Sequence, residues 1–123
     1  MSDSIAALVV WLTEAHRDLK KVESDALAAL YENKDEAAYR DLMRERAERL
    51  ADLADGAADA LQGVPEPLHT EAAQTLKRFS RGAERALELD SVFYMSALLY
   101  PDEHQPGDPD NLERLIAGIK TAL

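Results

Sequence analysis

Asp90 is the residue most in need of a chemical explanation. It falls between Ala86 and Phe93 on an apolar stripe spaced three and four residues apart, and a carboxylate on such a stripe is costly to bury unless it is paired or hydrogen bonded. When the chain is folded at its turns, positions summing to about 130 lie level on neighbouring antiparallel helices. Arg40 and Tyr39 then stand at the height of Asp90, with Lys120 near it on the last helix. These three are its expected partners. A buried pair there fixes helix register; the alternative is a ligand or catalytic group in the core.

The other reactive side chains are more scattered. His16 lies on the flank of the first helix's apolar stripe, where a hydrogen-bonded side chain is the expectation, and it is too far along the helix to work with Asp90. Glu66 and His69 have the Glu-x-x-His spacing of a carboxylate-bridged metal site, but such sites need a second copy and two further glutamates. The loop acids Asp102, Glu103, Asp108 and Asp110, with His104, lack the spacing of a calcium loop. Helix capping and solvation account for them. Ser80, Ser91, Ser96 and Thr75 have no histidine at their level, so no nucleophile and base pair is expected. No cofactor is called for.

Composition narrows the classes further. A net charge of -10 repels phosphate backbones and anionic lipid, which argues against nucleic acid and membrane surfaces as partners. With no cysteine there is no disulfide, thiol nucleophile or thiolate metal site. The first residues carry no basic leader and the longest apolar stretch, 91–100, is far short of a membrane span, so a soluble cytoplasmic protein is expected. On the second helix arginines alternate with acids, as in the i,i+4 pairs Arg44 with Glu48 and Glu45 with Arg49. That face reads as solvated. Lys77, Arg78, Arg81 and Arg85 differ, because only Glu84 opposes them between 77 and 85; such a run is usually solvated surface, and the alternative is a face that receives an acidic partner.

The elements that must position these residues are helices. From Ile5, apolar residues or alanines recur at Leu8, Leu12, Ala15, Leu19, Val22, Ala26 and Ala29, the seam of a helix capped by Ser2, Asp3 or Ser4 and running to about Glu32. A second helix, capped by Asn33 or Asp35, carries Met43, Ala47, Leu50, Ala54, Ala57 and Leu61 and ends at Gly63. A third is expected from Pro67 to Tyr100, where Pro101 stops it. Asp108 and Pro109 read as N-cap and first position of a short fourth, with Leu112, Leu115, Ile116 and Ile119 inward. The expected fold is a single all-α domain over 1–123, an up-down-up-down four-helix bundle of three long helices and one short.

The short fourth helix leaves half of such a bundle uncovered. Ile5, Val9, Val10 and Trp11 at the start of the first helix, and Val92, Met95 and Leu99 late in the third, widen the apolar surface beyond the seam. These are the expected interface residues. They point to a non-catalytic interaction or assembly protein, homo-oligomeric and most simply a dimer, docking itself or a partner helix. The reading from a different class is a small-molecule or metal-binding bundle using Asp90 and its polar neighbours in the core.

Overall fold

The apolar seam of the first 30 residues forms one uninterrupted helix. In the computed structural model, which describes residues 2–123, α1 spans Ser2–Tyr31 and buries Ile5, Leu8, Leu12, Leu19, Val22, Ala26 and Ala29. The expected caps Ser2, Asp3 and Ser4 all fall within the helix rather than ahead of it. Asp35 caps α2 (Glu36–Ala51), its side chain accepting the amide of Ala38 at 3.0 Å. The described residues are all-helical, and no helix among them is long and apolar enough to cross a membrane.

Two of the expected long helices are interrupted. The second continues past α2 as two single turns, α3 (Leu53–Gly56) and α4 (Ala58–Leu61). At the first break a side chain from a neighbouring helix joins the backbone groups of Leu50 and Ala54. The buried hydroxyl of Ser80 stands between them, accepting from Ala54 N at 3.0 Å and donating to Leu50 O at 2.8 Å. A side chain inserted into the i to i-4 ladder bends a helix without leaving either backbone group unsatisfied.

The expected third helix divides at Asp90. It comprises α5 (Leu68–Glu88) and the short α6 (Val92–Ala97). Asp90 has φ +50°, its amide donates to Leu87 O at 3.0 Å, and the Ser91 amide donates to Ala86 O at 3.2 Å. Those two bonds are a Schellman C-terminus with aspartate in the left-handed position usually held by glycine. Ser91 then caps α6 through its hydroxyl, which accepts from Tyr94 N at 3.2 Å.

The final helix, α7 (Asn111–Lys120), starts two residues later than Asp108 and Pro109 suggested. Its N-cap is Asp110, in a reciprocal capping box with Glu113: each side chain accepts the other's backbone N–H, at 2.8 and 3.0 Å. α1 packs on α2 and α7, and α2 also packs on α5 and α6. The larger apolar cluster joins Leu8, Leu12, Leu50, Leu76, Leu112 and Ile119, while a smaller one joins Ala26, Met43, Ala47, Ala86 and Met95. The segment 98–110 between α6 and α7 forms an arm bonded to α1 at Tyr100 and Asp110.

Candidate functional site

The expected core site at Asp90 does not form. Having terminated α5, Asp90 turns its side chain outward, where it is 78% exposed and ion-paired with Arg44 of α2. Arg40 and Lys120 are also exposed and Tyr39 is half-buried, and none of the three meets Asp90. The Schellman turn rotates residue 90 off the stripe that the uninterrupted periodicity implied.

The polar groups that are buried belong to other residues. Arg46, read from the sequence as part of a solvated face, is 1% exposed. On α2 it lies between Met43 of the smaller apolar cluster and Leu50 of the larger. Its guanidinium donates to Met95 O at 3.1 Å and Leu98 O at 2.9 Å, carbonyls that α6 leaves without intrahelical partners. Arg46 also stands 3.8 Å from Glu23. Glu23 accepts from the hydroxyl of Tyr100 at 2.6 Å and from Lys20 Nζ at 2.8 Å. Burial works to raise the Glu23 pKa, but the bonds from Lys20 and Tyr100 and the charge of Arg46 outweigh it and hold the carboxyl below its usual range. Burial and the adjacent Glu23 push the Tyr100 phenol up.

One turn nearer the N-terminus, His16 Nε2 donates to Asp110 Oδ2 at 2.8 Å. Asp110 is 1% exposed. Burial there is again outweighed, by the bonds from His16 and from the Glu113 backbone, so its carboxyl also titrates below the usual range. His16, Lys20 and Glu23 thus form a polar stripe at i, i+4 and i+7 on α1, and all three bond to the arm. The arm is clamped at Tyr100 and at Asp110. Held in that position, it forms a wall along α5.

Between α5 and that wall lie two depressions of about 550 and 510 Å³, which share Gly82 and Leu98. The first has Leu50, Phe79, Leu99 and Leu115 as apolar lining, with Arg78 and Arg114 as its charged groups. The second has Leu89, Tyr94 and Tyr100 in its lining, with Arg85 and Asp102 as its charged groups. Leu89 and Tyr94 are more than half exposed, as is Phe93, whose ring meets that of Tyr94 edge-on. Lys77, Arg78, Arg81, Arg85 and Arg114 are exposed, and among the described residues none has a carboxylate within 4.0 Å. A basic, apolar-floored groove therefore runs along α5 from Thr75 to Leu89, about 21 Å at helical rise.

The expected interface residues divide. Ile5, Met95 and Leu99 are buried within the chain's own clusters. Met95 is covered by α1, α2 and α5 rather than by α7 or a second subunit, because the break at Asp90 turns α6 inward. Val9, Trp11 and Val92 are half-buried, and Trp11 packs so closely on α3 that a Cβ added to Gly56 would lie 3.2 Å from its ring. Of this set only Val10 is a fully presented apolar side chain, 57% exposed. Glu66 and His69 do not join a metal-ligating group among the described residues. Compared with known proteins, the chain matches no family model, no curated protein and no solved structure.

Proposed function

We propose that this protein is a non-catalytic, cytoplasmic interaction module that docks an acidic, apolar-anchored segment of a partner protein in the groove along α5. In this reading α1, α2 with its terminal turns, α5 and α7 are the four staves of an up-down-up-down bundle, and the arm 98–110 converts one flank of it into a binding surface. The observation that carries the reading is charge against context. The chain has a net charge of -10, yet Arg78, Arg85 and Arg114 line this groove without carboxylate partners, against one acidic lining residue, Asp102. Lys77 and Arg81 stand on the neighbouring face of α5, and Leu89, Phe93 and Tyr94 are exposed beside them. Guanidinium groups beside an apolar floor favour glutamates or aspartates flanking leucine-like anchors, the helix-in-groove mode of recognition.

The net charge repels an acidic segment at a distance, so the attraction is local to the basic patch, acts within about a Debye length and is weakened by salt. The test is fluorescence anisotropy with a synthetic helical peptide that has leucines on one face and glutamates on the other. Binding should weaken with salt and fall at least about tenfold in Arg78→Glu/Arg114→Glu, because rim charges govern encounter. Equal binding of wild type and double variant would remove the groove as the site. Sedimentation of the wild type alone distinguishes a second copy as occupant: a concentration-dependent mass lost in the same double variant identifies self-association.

A further inference from the structure

We infer that His16, Asp110 and Glu113 form a binding site for a transition-metal dication of the zinc type, clipping α7 to α1. This inference does not depend on the groove. The three residues come from two elements far apart in sequence, and one ligating atom from each lies within 4.8 Å of the others. His16 Nε2 is 2.8 Å from Asp110 Oδ2 and 3.8 Å from Glu113 Oε1. Tetrahedral zinc with bonds of ~2.0–2.1 Å holds its ligand atoms ~3.3 Å apart, a value these two separations straddle. To admit the ion, His16 and Asp110 must part and His16 and Glu113 must close, each by about 0.5 Å.

The surroundings also suit an ion. Asp110 is almost completely buried, its Oδ1 engaged by the Glu113 amide and its Oδ2 directed at the imidazole. A cavity of about 230 Å³ is lined by Thr13, His16, Glu113, Ile116, Ala117 and Lys120, so water reaches two of the three ligand residues. Two ammonium groups are near the two carboxylates: Lys120 is exposed and free to turn to solvent, and Lys20, whose charge also acts on Asp110, is held by Glu23 and Tyr100. One imidazole nitrogen with two carboxylate oxygens favours zinc over calcium, which takes six to eight oxygens, and over magnesium, which retains most of its water. Metal at Nε2 replaces the proton now shared with Asp110, and the neutral imidazole carries its proton on Nδ1 instead.

The test uses the full chain freed of metal by a chelator and titrated with Co²⁺. One equivalent should produce the visible bands of tetrahedral cobalt, and Zn²⁺ should abolish them. Saturating Zn²⁺ should raise the melting temperature by about 5 °C, with no comparable effect of Mg²⁺ or Ca²⁺. His16→Gln keeps a hydrogen-bond donor for Asp110, and Glu113→Gln keeps an acceptor for the capping box; each should weaken binding at least tenfold while retaining helical content by circular dichroism. Should His16→Gln fail to fold, Glu113→Gln decides, since its side chain is 45% exposed. A wild type without cobalt bands or zinc-induced stabilisation overturns the site, as does wild-type affinity in Glu113→Gln.

Discussion

Replacing Arg46 with methionine should be among the most damaging single changes to this protein, although the residue looks from the sequence like one of many surface arginines. The substitution keeps an unbranched side chain but removes the donors to Met95 O and Leu98 O. Each buried acceptor left without a partner costs about 1–3 kcal/mol. Glu23 loses the guanidinium 3.8 Å away but keeps its bonds from Lys20 and Tyr100, so the lost ion pair adds less than a bare buried charge would. Against these losses, methionine adds apolar burial and removes Nε, which is buried without a hydrogen-bond partner, an offset of about 1 kcal/mol. The net expectation is a loss of about 3 kcal/mol. For a chain of this size that lowers the melting temperature by roughly 12 °C. Urea unfolding followed by far-UV circular dichroism measures it directly, with an unchanged m-value showing that the unfolded reference has not moved. Arg46→Lys should recover part of the loss. A change below about 1 kcal/mol in Arg46→Met would mean that water reaches the end of α6, and the clamped arm would have to be abandoned.

Asp90→Gly should be neutral or stabilising by up to about 1 kcal/mol, because glycine adopts the left-handed C-terminal position freely and the exposed pair with Arg44 contributes little; a loss of about 3 kcal/mol in urea unfolding would instead indicate a buried pair. Stability should also fall at both ends of the pH scale. Glu23 and Asp110 titrate below their ordinary values when folded, so their contribution is complete above about pH 4 and is lost as pH falls through the lower folded values. Lys20 is raised, the bonds to Glu23 and Tyr100 overcoming burial, and Tyr100 is raised by burial and Glu23; their contribution is complete below about pH 10 and lost above it. Thermal melts from pH 2 to 11 should show the acid limb diminished in Asp110→Asn and the alkaline limb diminished in Tyr100→Phe.

Much of the frame was legible in residue spacing. The seam of α1 reads directly, since all its residues but the half-buried Ala15 are buried as periodicity demands. The break in the second helix was not legible, because its cause is a serine hydroxyl that arrives from 26 residues away. The break at Asp90 had a local signal, an Asp-Ser pair suited to a left-handed turn followed by an N-cap. It was masked by apolar periodicity that continues in phase to Phe93 and Ala97. Asp110 with Glu113 likewise carried the Asp-x-x-Glu pattern of a capping box, overshadowed by the more obvious Asp108-Pro109. Arg46 sits beside the seam residues Met43, Ala47 and Leu50, yet its alternation with glutamates resembled a surface. The stripe His16, Lys20 and Glu23 is visible at helical spacing, but its partners in the arm are set by tertiary structure. The basic run 77–85 was visible in advance, whereas the groove beside it depends on where the arm lies.

The central claim, that the α5 groove is a docking surface for an acidic segment, is tested most directly by titrating the isotope-labelled protein with the acidic amphipathic peptide and following its backbone amide resonances. Shifts confined to Thr75–Leu89, Leu98 and Asn111–Leu115, and absent in Arg78→Glu/Arg114→Glu, are the predicted result. Shifts centred on Val10 and Trp11, or a spectrum unchanged at saturating peptide, would contradict it.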